Sequence, residues 1–320
     1  MNKRQTILLF LLFIYSSSFA QKNLTDNLIV KGNIPAISVV GGGQSLLFAH
    51  GSKIYRWSRS KNRISDSIDF QASGKIIALD YNSRTDLLAA GFQSGELLIS
   101  SLNGKAERLQ MQGGAIILVK FSNDGNYLAA GTGDSNLSMW NIADHRLLWS
   151  KKGHNDHILA ISFSPNDSIV FSGSADKRIG IWDCQKGVVS GYLTESDSWI
   201  RKLAVSNAKS TLYAATDEGA IYSWKIDGAN VKFAGKMKES SSWSLALAVG
   251  DEDGTFVSGF KNGYLVFRTK FGNYHTNFGQ PVVDVAMISE NKFVSFYVSV
   301  MNRGLYFVEL ADKAFKLSTK

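Results

Sequence analysis

Cysteine is nearly absent: Cys184 stands alone among 320 residues, so no disulfide can form within the chain. Proline is scarce as well, with 3 residues against 29 glycines, which excludes proline-rich and collagen-like chains and points to many tight turns. No run of Lys and Arg exceeds two residues, so the surplus of 35 basic over 27 acidic residues forms no block of the kind that grips nucleic acid. No amphipathic helical pattern of ten or more residues follows Gln21. The longest apolar run, Ile7 to Tyr15, has nine residues, where about 20 are needed to span a bilayer.

That run has the flanks of a leader. Lys3 and Arg4 precede it, and Ser18 and Ala20 put small residues where a signal peptidase reads, so 1–20 is expected to be a cleavable signal peptide cut after Ala20. No cysteine lies near the cut, which disfavours a lipid anchor. The expected location is therefore secreted or periplasmic, and the short leader ending in Phe19-Ala20-Gln21 reads as bacterial. Cleavage takes Lys+Arg from 35 to 33 against 27 acidic residues and leaves a formal charge of +6, a mild bias toward anionic partners. Neither a membrane span after cleavage nor a nucleic-acid partner is expected.

What the sequence does contain is a period. A small-residue strand, a polar turn and a second strand recur, ending at Trp57, Ser100, Trp140, Trp182, Trp224, Arg268 and Glu309, at steps of 43, 40, 42, 42, 44 and 41. Another apolar strand precedes each copy. The residues before it are Asn33, Lys75, Ala115, His157, Trp199, Trp243 and Pro281, at steps of 42, 40, 42, 42, 44 and 38. Apolar runs within a copy are short and rich in Val, Ile, Leu, Phe and Tyr, and Asn, Asp and Gly lie between them, so the units read as antiparallel strands joined by hairpins. One such small sheet cannot bury both faces. Seven copies stacked radially can, so residues 21–320 are expected to form an all-β, seven-bladed β-propeller of four-stranded antiparallel blades. Leu28-Ile29-Val30 is expected to supply the outer strand of the last blade, with Ala314 to Ser318 as the alternative.

The stretch from 153 to 183 resembles a WD repeat. It opens with Gly153-His154, carries Phe163-Ser164-Pro165-Asn166-Asp167 and Ser172-Gly173-Ser174, and closes with Trp182-Asp183. The resemblance implies a hydrogen-bonded tetrad of His154, Ser172, Asp176 and Trp182, which would satisfy buried polar groups. Other copies keep less: the one ending at Trp140 has Asp134 but Ala130 in place of the serine, and those ending at Ser100, Arg268 and Glu309 lack the tryptophan.

Chemistry is hard to find. His154 and His157 lie three apart, but His154 is claimed by the tetrad and no third His or Cys ligand is near, so no metal is expected. No Gly-x-Ser-x-Gly elbow occurs, and Gly41-Gly42-Gly43 reads as a turn without the helix and lysine of a phosphate loop. Neither catalytic residues nor cofactors are assigned, and Cys184 is expected to be a buried or half-buried strand residue.

In a WD-type propeller the turns leading into first strands and those joining second to third strands gather on one face. That face would carry Trp199, Trp243 and His157, with Arg201 and Lys202 following Trp199 and Asp217-Glu218 in the facing turn. The function expected is a non-catalytic protein-interaction scaffold or recognition module, acting outside the cytoplasm on a protein or peptide. The alternatives are an exported propeller enzyme of lactonase or quinoprotein type, and a glycan-binding propeller.

Overall fold

The computed structural model describes residues 28–109, 114–252, 254–269, 272–290 and 293–310. The leader at 1–20 and the segment Ala314 to Ser318 lie outside them. The described residues form seven four-stranded antiparallel sheets, the blades of a propeller. The chain builds each blade from the channel outward. Blade four, for example, has an inner strand Ile158–Phe163, then Ile169–Ser174, Ile179–Asp183 and an outer strand Val189–Leu193.

Burial follows that order. Every residue of Ile169–Ser174 is buried, because a second strand has sheet neighbours on both edges and a blade against each face. The outer strand of blade one, Arg63–Asp69, is almost wholly exposed. Blades meet through apolar layers: Phe171 and Ile179 of blade four pack in one cluster with Leu203, Leu212 and Tyr222 of blade five. The small residues of each second strand have a steric cause. A Cβ on Gly173 would stand 2.5 Å from Ile200 of the next inner strand, and one on Gly91 would stand 2.6 Å from Ile116. The recurring pattern of small residues is therefore the imprint of blade-on-blade packing.

The ring closes through its N-terminal strand. Leu28–Val30 pairs antiparallel with Gly304–Leu310, completing the blade begun by Val282–Glu290 and Phe293–Val300. Polar bonds fasten the same seam. Tyr297 donates its hydroxyl to the Gly43 carbonyl at 3.1 Å, Ser299 donates to the Ile34 carbonyl at 2.6 Å, and Asp284 accepts the Ile37 N–H at 3.0 Å. Gly304 has φ +126, and a Cβ there would lie 1.9 Å from the Val30 carbonyl oxygen, a backbone atom that cannot swing aside. Gly304→Ala is expected to part this strand pair, seen as faster tryptic cleavage at Lys31 and a lowered unfolding midpoint. Unchanged cleavage would mean the closure lies elsewhere.

Two details differ from the sequence reading. The residue opposite Phe296, where other blades place their tryptophan, is Val308 and not Glu309. Cys184 is buried, at 1% exposure, but sits one residue past the strand, because Asp183 accepts the N–H groups of Gln185 and Lys186 and turns the chain. Burial pushes its thiol up to about 12, so it is protonated at neutral pH and a poor nucleophile.

Candidate functional site

Two constellations stand out, one buried within blade four and one exposed at the rim of a face. In blade four the Trp182 indole N–H donates to Ser172 Oγ at 2.7 Å, and Ser172 lies 2.7 Å from His154 Nε2. His154 Nδ1 reaches Asp176 at 3.0 Å. One assignment satisfies every atom: Ser172 donates its hydroxyl to Nε2, and the Nδ1–H donates to Asp176. Asp176 also accepts the Asn155 N–H at 3.0 Å and the Arg178 guanidinium at 2.8 Å. Space for this chain comes from Gly180. A Cβ there would meet Trp182 Nε1 at 2.7 Å, Ser172 Oγ at 2.9 Å and His154 Nε2 at 3.2 Å. The side chain of His154 is 0% exposed, so this group holds the blade and meets no ligand.

Burial pushes the His154 imidazole below its ordinary value, against the pull of Asp176. Burial alone would raise Asp176, but hydrogen bonds from Arg178, the Asn155 N–H and His154 outweigh it and hold its carboxyl at about 2. Both shifts act in the same direction. Unfolding lets each group take up a proton more readily, so stability is full at neutral pH, declines as pH falls below the ordinary histidine range, and declines again toward pH 2. Denaturant midpoints measured from pH 7 downward should fall, while ring nitrogen shifts keep His154 neutral. A charged His154 in the folded chain would contradict this assignment.

The other blades fill the same place differently. In blade three Asp134 is taken by the Thr132 hydroxyl and the Asn136 amide. In blade five Tyr222 stands opposite Ala214, where blade four has Gly180, and stacks on Trp224 at 6.0 Å. The Trp224 indole N–H is buried there with no hydrogen-bond partner. In blade six Arg268 stands at the tryptophan position and pairs with Glu239, whose side chain is 6% exposed.

The exposed constellation follows from a repeated backbone bond. In blades two to seven the carbonyl before the inner strand accepts an N–H from the turn between second and third strands: His157 from Ala175, Trp199 from Asp217 and Trp243 from Lys261. Lys75, Ala115 and Pro281 do the same with Gln93, Gly133 and Met301. Both sets of turns therefore share one face. On it Trp199 and Trp243 are exposed, at 40% and 41%. The Arg201 guanidinium lies 4.9 Å from the Trp199 ring centre and 4.8 Å from that of Trp243, and is held by an ion pair with Asp217. Lys261 lies 3.7 Å from the Trp243 ring centre. The result is a contact chain Trp199–Arg201–Trp243–Lys261 across blades five and six.

Lys202 sits half-buried beside Arg201. With Ile117, Leu118, Leu159 and Leu245 these two residues line a cavity of about 260 Å³ at the inner strands. His157 is 63% exposed and lies on the same face, but its Nδ1 bonds the Gly133 carbonyl at 2.9 Å and no contact joins it to the tryptophans. Lys261 and Gly180 were missed in the sequence. Lys261 follows from Ala175 and Asp217 by the period, and Gly180 is the glycine set against Ser172 in the third strand. Among the described residues no group of three His, Cys, Asp or Glu side chains could hold a metal ion.

Comparison with known proteins adds a family signal over two blades. The WD domain, G-beta repeat family matches residues 112–141 and 145–183, the second match spanning the outer strand of blade three and three strands of blade four. The chain is 22% identical over 242 residues to Autophagy-related protein 16 of Arabidopsis thaliana, covering 73% of this chain and 47% of that one. It is 29% identical over 157 residues to the small ribosomal subunit protein RACK1y of Oryza sativa subsp. japonica, covering 43% and 46%. It is 22% identical over 157 residues to Periodic tryptophan protein 2 of Arabidopsis thaliana, covering 48% and 17%. The chain thus spans less than half the length of each of these relatives, all of them eukaryotic. Blades three and four match the WD40 repeat, set in a seven-bladed ring whose other blades keep the period and lose the motif.

Proposed function

We propose that the chain is a non-catalytic scaffold that captures a protein partner on the face carrying Trp199, Arg201, Trp243 and Lys261. The observation that carries this reading is the pair of exposed tryptophans joined through Arg201, with Lys261 against the second. Large aromatics at 40% exposure contribute little to the core, and aromatic and arginine side chains dominate interface hot spots. Arg201 holds them in place, so little side-chain entropy is left to lose on binding. Two similar proteins bear names that place them in assemblies, the small ribosomal subunit protein and a U5 small nuclear ribonucleoprotein protein of Dictyostelium discoideum, 35% identical over 75 residues.

A sugar ring or a nucleobase would need an open indole face on which to stack, and Arg201 and Lys261 lie against these rings. Two histidines are engaged, His154 in the tetrad and His145 with Glu107 at 2.8 Å. Capture from an extract of the native source tests the scaffold reading. Proteins retained by the wild-type chain and absent with Trp199→Ala/Trp243→Ala support it; an identical set with both chains overturns it. Action outside the cytoplasm rests on residues 1–20 alone, and a native N-terminus at Gln21 is the result that supports it; an intact Met1 end would count against it.

A further inference from the structure

We propose that this face takes an acidic peptide segment bearing one bulky apolar side chain, its carboxylates on Lys261 and the Arg201 edge and its apolar group in the mouth of the central channel. The proposal rests on the reading of this face as the capture surface and names the partner's chemistry.

The aromatic faces decide against cations. Arg201 contacts both indoles and Lys261 lies 3.7 Å from the Trp243 centre, so the cage that a methylated lysine or other ammonium would fill is already filled from within. What remains open is electropositive: the Lys261 ammonium, the outer edge of the guanidinium, and indole edges, where the ring quadrupole is positive. The two carboxylates of the facing turn are engaged. Asp217 is paired with Arg201, and Glu218 accepts the Tyr222 hydroxyl at 2.7 Å and pairs with Lys236 at 2.9 Å. Asp284, in the wall of the channel, takes the Ile37 N–H. Burial pushes its carboxyl above the ordinary range, against the pull of Lys202, and among the described residues no ion pair joins Lys261 to a carboxylate. Three cations, Arg201, Lys202 and Lys261, thus stand on one patch, against Asp217 and Glu218, both engaged, and exposed Asp197 at the rim, and Asp284 in the channel wall.

Beside them the surface turns apolar. Ile117, Leu118, Leu159 and Leu245, from blades three, four and six, surround a cavity of about 260 Å³, with Arg201 and Lys202 on its remaining side. That is below the range of roughly 300–1,000 Å³ usual for whole small-molecule ligands, and it suits one large side chain. An aliphatic or aromatic residue seated there would place neighbouring carboxylates a few ångströms away, over Lys202, Arg201 and Lys261. Desolvating the apolar group supplies affinity, and the charges fix register and speed encounter.

A random 12-residue peptide display library, panned on the full chain, tests this directly. The enriched peptides should carry net negative charge and one Leu, Ile, Met, Phe or Trp. A synthetic copy of the strongest, followed by fluorescence anisotropy, should bind about tenfold more weakly to Lys261→Glu, weaken with salt, and regain affinity for that variant when one of its Glu residues becomes Lys. Circular dichroism keeps misfolded variants out of the comparison. Basic or neutral peptides lost with Trp199→Ala/Trp243→Ala would overturn the partner chemistry and leave the capture face standing. Acidic peptides that bind that double variant undiminished would overturn both. No enrichment overturns the proposal, and parallel binding to anionic phospholipid vesicles or single-stranded RNA that Lys261→Glu abolishes would assign the patch to that class instead.

Discussion

Trp199→Ala combined with Trp243→Ala is expected to weaken partner binding by about a hundredfold or more while the unfolding midpoint falls by no more than ~4 °C. Truncating a hot-spot tryptophan costs about 2 kcal/mol or more, and two would approach a thousandfold if they acted independently. They do not, because Arg201 lies between them and loses its stacking partner with either one, so a hundredfold is the floor. The cost to folding is small for a different reason. Both rings are about two-fifths exposed, and their removal forfeits cation–aromatic contacts worth roughly 0.5–1 kcal/mol each at such sites. Arg201 keeps Asp217, so no charge is orphaned. Calorimetry beside biolayer interferometry reads both quantities. A double variant that no longer unfolds cooperatively would make these residues part of the core instead.

The opposite pattern is expected inside blade four. Gly180→Val should destabilise the fold by about 3–5 kcal/mol and lower the midpoint by roughly 10 °C, with partner affinity of the remaining folded chain unchanged. Its side chain would collide with Trp182, Ser172 and His154 together. These atoms cannot retreat to water, since Trp182 is 1% exposed and Ser172 0%. Breaking the chain leaves an indole N–H, a hydroxyl and an imidazole buried without partners, each a desolvation cost of about 1–3 kcal/mol. Gly191→Ala on the outer strand of the same blade is the control, since a Cβ there meets nothing within 4 Å. Equal effects at both positions would remove the tetrad from its place as the blade's stabilising feature.

The propeller was legible because repetition is a sequence property. Stacked blades need equal strand spacing and a small residue where the next inner strand crosses, so Gly91 and Gly173 announce the packing before any coordinates do. The register slipped where those markers vanish. The last blade has Val298 in place of the serine and Val308 in place of the tryptophan, and nothing in the sequence distinguishes 308 from 309. In the same way, Arg268 reads as lost motif, while the structure pairs it with Glu239, and in blade five it stacks Tyr222 on Trp224. Substitutes chosen from different chemistry leave no pattern to find.

The exposed cluster was half visible. Trp199 and Trp243 share a repeat position, and Arg201 with Asp217 sits within reach in sequence. Lys261 escaped because its link to Trp243 runs through a backbone bond between two turns, which only a register of the whole hairpin reveals. Cys184 was expected within a strand, but it follows Asp183, whose side chain accepts two N–H groups and turns the chain there.

Hydrogen exchange of the full chain with and without its captured partner tests the central claim most directly. Amides around Trp199–Leu203, Trp243–Leu247 and Lys261 should slow on binding. Those of the turns between first and second strands, such as Asn123–Gly125 and Asn166–Ser168 on the other face, should not change. Protection on those turns, or along the outer strand Asn230–Lys238, with none at the tryptophans, would place the partner elsewhere and contradict the account.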